Sequence, residues 1–98
     1  MPDVAPAAAT VHVEFAASLQ RHQACPPQRV APGSLRSVLE AALAGVPALA
    51  GYVFDDQRHV RRHVAVFVNG QMVHDRQRLD GALAGGDRVL VLQALTGG

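Results

Sequence analysis

The chain of 98 residues finishes on Leu95, Thr96, Gly97 and Gly98, and this short stretch is where its residue types point most directly to chemistry. A last strand ordinarily frays into almost any residue. Two glycines surrender every side-chain contact and leave the most flexible backbone available. That is poor design for stability, and it suits an end that another protein grips in order to work on the carboxylate of Gly98.

The other reactive side chains read as structural. Cys25 is the single cysteine, so no internal disulfide forms, and its setting in "ACPPQ" is loop-like; a free structural or surface thiol is expected there rather than a nucleophile. His59 and His63 stand four apart, a metal-ligand spacing on a helix. Val64 onward reads as strand, where such side chains do not converge, so solvated histidines are expected and a metal is not. Arg58, Arg61 and Arg62 form a small basic run, taken as a solvated edge with some scope for meeting an acidic partner. Asp80 and Asp87 fall in turns, where aspartate fits the backbone. With no nucleophile–base constellation, no intrinsic catalysis is expected.

Composition narrows the classes further. A formal charge of +1 gives no electrostatic case for nucleic acid or an acidic membrane. All nine basic residues are arginine; without lysine there is neither a P-loop nor a Schiff base. No apolar run approaches the roughly 20 residues that span a bilayer. "MPDVAPAAAT" lacks the basic and apolar regions of a signal peptide, so a cytoplasmic protein that holds no cofactor is expected.

These features need a scaffold. Residues 1–9 read as a disordered arm, 10–93 as one domain and 94–98 as a flexible Gly-Gly tail. "TVHVEFAA" alternates, with Val11, Val13, Phe15 and Ala17 on one face, and predicts a half-buried strand. "RVAPG" predicts a second strand in a loose hairpin with the first. Ser34 is placed to cap a helix whose stripe is Leu35, Val38, Leu39, Ala42, Leu43 and Val46, stopped by Gly45 and Pro47. It is the one strong helix in the pattern. "GYVFDDQRHVRRH" reads as an extended arm around Val53 and Phe54 with a turn at 55–57. "VAVFV" is a strand and "NG" a hairpin turn leading into "QMVH". Leu79 and Leu83 are expected to anchor a short helical turn, after which Gly85, Gly86 and Asp87 lead into the last strand, "RVLVLQA". The order strand, strand, helix, strand, strand, turn, strand fits a β-grasp among several topologies.

With a helix after the second strand, "VFVNG" in the third and "GDRVLVLQALTGG" at the end, residues 10–98 resemble the ubiquitin-like sulfur carriers. That group includes the small subunit of molybdopterin synthase, the thiamine sulfur carrier, and relatives feeding cysteine or siderophore synthesis. Gln93 stands where many relatives carry proline, which leaves the receiving pathway open. The resemblance implies an α+β fold of the β-grasp (ubiquitin-like) type, a mixed sheet packed on one main helix. It also implies a function. A ubiquitin-activating-type adenylyltransferase consumes ATP to join Gly98 to AMP, a persulfide or sulfide donor replaces AMP with sulfur, and a synthase accepts the sulfur from the thiocarboxylate. Leu95, Thr96 and Gly97 would thread the partner's channel, where a side chain on either glycine would obstruct.

The third and last strands are apolar on both faces, yet one helix covers only one of them. Phe67, Leu90 and Leu92 are therefore expected to form an exposed patch for the partner, as in ubiquitin-like proteins. The competing expectation is that the N-terminal arm or residues 52–60 cover it. Two other functional classes share the pattern: a covalent protein modifier using the same activated Gly98, and a plain β-grasp binding module.

Overall fold

The computed structural model describes residues 10–21 and 23–94. The expected arm at residues 1–9 and the tail residues Leu95–Gly98 lie outside the described residues.

Alternation sets the first element. In β1 (Val11–Phe15) the side chains of Val11, Val13 and Phe15 are buried while Glu14 is exposed. β2 (Gln28–Val30) returns antiparallel to it, with Val11 opposite Val30 and Val13 opposite Gln28. The long connection carries a single helical turn, α1 (Ala17–Gln20), so Ala17 is exposed on that turn rather than continuing the buried face of β1. Gln20 ties the connection down. Its Nε2 donates to the carbonyls of Phe15 (3.0 Å) and Cys25 (2.8 Å), and its Oε1 accepts the Cys25 N–H at 2.7 Å.

The two-residue strand β3 (Gly33–Ser34) leads directly into α2 (Leu35–Leu43). Ser34 caps this helix as expected: its Oγ accepts the Ser37 N–H at 3.1 Å. Leu35, Val38, Leu39, Ala42 and Leu43 are buried along one stripe, and Val46 packs against the core just beyond the helix.

Pro47 does not only stop this helix; it opens another. α3 (Pro47–Val53) buries Leu49 and Val53, so residues around Val53 are helical where an extended arm was expected. Proline is favoured in the first turn because its missing N–H had no partner to lose. The cap comes from elsewhere in the chain: Gln23 Oε1 accepts the N–H groups of Ala48 (2.9 Å) and Leu49 (3.4 Å).

After α3, Phe54 bridges to Val60 around a turn in which Asp55 Oδ1 accepts the N–H groups of Gln57 and His59, both at 2.9 Å. β4 (Val64–Val68) and β5 (Gln71–Met72) form a hairpin through Asn69 and Gly70. Both turn residues have positive φ, 50° and 84°, the geometry that Asn-Gly supports.

The next segment corrects the sequence reading. Leu79 and Leu83 are both buried anchors, but no helical turn joins them. Asp75 instead accepts three successive N–H groups, from Gln77, Arg78 and Leu79. Leu79 adopts φ 54°. The carbonyls of Leu79 and Gly81 accept the N–H groups of Arg36 and Leu35, satisfying donors that the first turn of α2 leaves open. β6 (Ala82–Leu83) pairs antiparallel with β3 as a separate two-stranded ribbon. Asp87 Oδ2 closes the following turn on the Ala84 N–H at 2.8 Å.

β7 (Arg88–Gln93) completes a five-stranded sheet in the order β2-β1-β7-β4-β5. It lies parallel to β1 and antiparallel to β4. The last strand is thus central, which is the β-grasp arrangement. Val11, Val13, Phe15, Val64, Val66, Val89 and Val91 form one continuous core with the buried stripe of α2 and with Leu49 and Val53 of α3.

Candidate functional site

Register places the expected patch residues together on the face opposite α2. Phe67 is the partner of Leu90 across β4 and β7, and Ala65 is the partner of Leu92. Directly opposed residues share a face of a sheet. Leu90 is 39% exposed, whereas Val89 and Val91 beside it are buried in the core. Phe67 and Leu92 are half-buried. Together with His12, Glu14 and Arg88 they line a shallow groove of about 450 Å³. Residues 52–60 do not cover this face, since they fold as the end of α3 and the loop tied to Val60.

The sequence reading missed one member. Met72 on β5 is the partner of Phe67 and is 47% exposed, the other large exposed hydrophobic side chain among the described residues. A row Met72–Phe67–Leu90 therefore crosses three strands and ends at Glu14, the partner of Leu90 on β1. A two-residue turn at Asn69–Gly70 fixes that register, so the signal was present in "VFVNGQM".

The same sheet holds the end of the described chain. Gln93 stands opposite Val64, its N–H donating to Ser18 Oγ at 3.4 Å. The Ala94 N–H donates to the His63 carbonyl at 2.8 Å. β7 is thus held between neighbours up to the residue before Leu95. Gly98, and Gly97, Thr96 and Leu95, which were expected to thread a partner's channel, lie outside the described residues.

The remaining chemical candidates occupy structural positions. Cys25 is buried, at 1% exposure, with Gln28 Nε2 donating to its Sγ at 3.9 Å. Burial pushes its thiol pKa up, against a smaller lowering by Gln28, and a thiol so held is a poor nucleophile. His63 is not a solvated ring: it packs on Tyr52 with centroids 4.5 Å apart, and its Nε2 is shielded without a hydrogen-bond partner. Arg58 is not simply solvated either. It pairs with Glu40 at 2.6 Å and lies over the Phe54 ring. Asp87 holds its turn, and the Ala84 N–H followed by the Asn69 amide keeps its carboxyl below the ordinary range. Among the described residues no three His, Cys, Asp or Glu side chains gather as a metal site, and no helix is long and apolar enough to cross a membrane.

Comparison with known proteins agrees with this architecture. SAMP1 from Haloferax volcanii superposes with a TM-score of 0.72 at 24% identity, covering 91% of this chain and 99% of that one. The HVO 2177 protein of Haloferax volcanii is 30% identical with a TM-score of 0.68, covering 91% of this chain and 86% of its own. A chain of the BexX/CysO complex of Amycolatopsis orientalis is similar in fold, with a TM-score of 0.67 at 19% identity and coverage of 90% and 99%. No curated protein matches the chain. The sequence pattern of the ThiS family matches residues 27–98, from the second strand to the final glycine, and the chain belongs to that family.

Proposed function

We propose that the protein is a sulfur carrier whose reactive group is the carboxylate of Gly98. The observation that carries this reading is the family match, which extends through Gly97 and Gly98. A ubiquitin-activating-type adenylyltransferase supplies the catalysis. The carboxylate attacks the α-phosphorus of ATP and pyrophosphate leaves, giving a mixed anhydride with AMP. Hydrosulfide adds to that carbonyl, and AMP departs with the bridging oxygen, leaving a thiocarboxylate and a proton. A persulfide donor gives an acyl disulfide instead, whose S–S bond a thiol then cleaves. The thiocarboxylate passes its sulfur to an accepting synthase.

The fold suits this role. Ala94, the last described residue, is held by the His63 carbonyl, and the four residues that follow it can span at most ~14 Å at up to 3.6 Å each. The partner grips the apolar row around Phe67, Leu90 and Leu92 while the tail enters its channel. A chain that presents a substrate end needs no catalytic group of its own. The protein that takes the tail supplies it.

Similarity to SAMP1, described as a small archaeal modifier protein, favours a second reading in which activated Gly98 is joined to amines of other proteins. Mass spectrometry after incubation with the adenylating partner, ATP and a sulfur donor separates the two. A carrier exchanges one oxygen for one sulfur; a modifier appears joined to target chains. An unchanged mass refutes both and leaves a binding module.

A further inference from the structure

Two arginines of the basic run read from the sequence as a solvated edge meet a third in the fold. His59, Arg61, Arg62 and His63 line a polar depression of about 370 Å³ together with Arg76, which arrives from beyond β5. Arg76 Nη1 donates to the carbonyls of Arg61 at 2.8 Å and Val60 at 3.5 Å. Arg61 Nε donates to the Gly51 carbonyl at 3.0 Å. These partners are neutral carbonyls, so they orient the guanidinium groups without cancelling their charge. Among the described residues none of Arg61, Arg62 and Arg76 is in an ion pair. The single carboxylate at the rim, Asp55, already accepts two backbone N–H groups through Oδ1. Three guanidinium groups therefore face one carboxylate, which Arg61 already meets electrostatically, and the cluster keeps an excess of positive charge.

The place of this depression gives it meaning. His63 is the residue whose carbonyl holds the Ala94 N–H, so the cluster borders the end of the described chain. Leu92 lies on the neighbouring strand one residue before Gln93, which brings the apolar face toward the same end of the described chain. Guanidinium groups held in a fixed orientation favour the planar oxygens of carboxylates.

We propose that this depression seats acidic side chains of the protein that takes the C-terminal tail, steering the tail toward it and fixing its approach. The identity of that protein rests on the carrier reading; the preference for protein carboxylates does not. Arg62 is the position to test, because its side chain is exposed and has no hydrogen bond or ion pair among the described residues.

In the full chain labelled with nitrogen-15, titration with a polyglutamate peptide at low salt is expected to shift the amides of His59–His63 and Arg76. Those shifts should be lost in Arg62→Glu, kept in Arg62→Lys, and absent with polyglutamine. Shifts elsewhere, no shifts, or equal shifts from inorganic phosphate at matched charge would overturn the assignment to protein carboxylates. With the adenylating partner, Arg62→Glu is expected to raise KM for the carrier about tenfold at low salt, with kcat unchanged and the difference closing at high salt. An unaltered KM, or a rise indifferent to salt, also overturns the proposal. If the native chain is never adenylated, the carrier reading fails by itself, and the peptide titration still decides the site.

Discussion

Phe67 and Leu90 face each other across the central pair of strands, and both turn away from α2. Their neighbours Val66 and Val91 are also partners, but point into the core. Each strand thus packs one set of side chains into the core at alternate positions and leaves the other set on the face proposed for docking.

This alternation makes a sharp contrast between adjacent substitutions. Leu90→Asp is expected to cost about 1 kcal/mol, because the side chain is already partly solvated. Val91→Asp places a carboxylate where nothing can pair with it and is expected to cost more than about 4 kcal/mol, enough to unfold a small domain. Urea titration measures both. The folded Leu90→Asp protein should then bind the activating partner at least tenfold more weakly, as should Phe67→Asp and Met72→Asp. A Leu90→Asp protein that is grossly unstable would show this face to be internal.

The start of α2 offers a smaller test. Ser34 Oγ accepts the Ser37 N–H at 3.1 Å, and removing that acceptor leaves a helix donor without its partner. Ser34→Ala is expected to lose about 1 kcal/mol, whereas Ser34→Asp should recover most of it by capping the same donor. Equal stability of all three proteins in urea titrations would mean that the ribbon of β3 and β6, and not the cap, fixes the start of the helix.

Sequence reached the fold wherever the cause was local. Alternation in Val11–Phe15, the cap at Ser34 and the Asn69–Gly70 turn each act within a few residues, and each element formed as expected. α3 was not legible because its cap is Gln23, some 25 residues upstream. Leu79 and Leu83 have the four-residue spacing of a helix, but Asp75 draws three N–H groups into a loop and Leu79 takes a left-handed conformation. Alternation was enough to put Phe67, Leu90 and Leu92 on one face of the sheet. Arg76 joins Arg61 only through contacts across the fold, and no local pattern announces it.

Three turn aspartates set the response to acid. Asp55, Asp75 and Asp87 each have a carboxyl pKa below the ordinary 3.8, chiefly through N–H groups of His59, Arg78 and Ala84 respectively. Since folding favours the ionised form, their stabilisation is complete above the unfolded pKa and is lost as pH falls through the folded one. The melting temperature should therefore hold steady down to about pH 5 and decline below about pH 4. Asp75→Asn and Asp87→Asn should each flatten part of that decline. A fall that begins near neutrality would assign acid sensitivity to groups other than these aspartates.

If Gly98 is the substrate, activation requires its free carboxylate and an unobstructed approach to the carbonyl. One residue added after Gly98 removes that carboxylate from its place, and deletion of Gly98 draws it one residue back from the partner's nucleotide. Both changes should abolish ATP-dependent pyrophosphate release by the activating partner. Gly97→Val should also block it, because a β-branched side chain restricts the backbone and broadens a segment that must fit a narrow channel. Val91 is the last core member among the described residues, and thermal melting serves as the control for an intact domain. The native chain, supplied with ATP, partner and sulfur donor, should gain one sulfur in place of one oxygen, lose it on transfer, and regain it in a second round. Activation of the extended chain at the native rate would place the reactive group elsewhere. Adenylation without sulfur uptake, accompanied by conjugates to other proteins, would establish the modifier in place of the carrier.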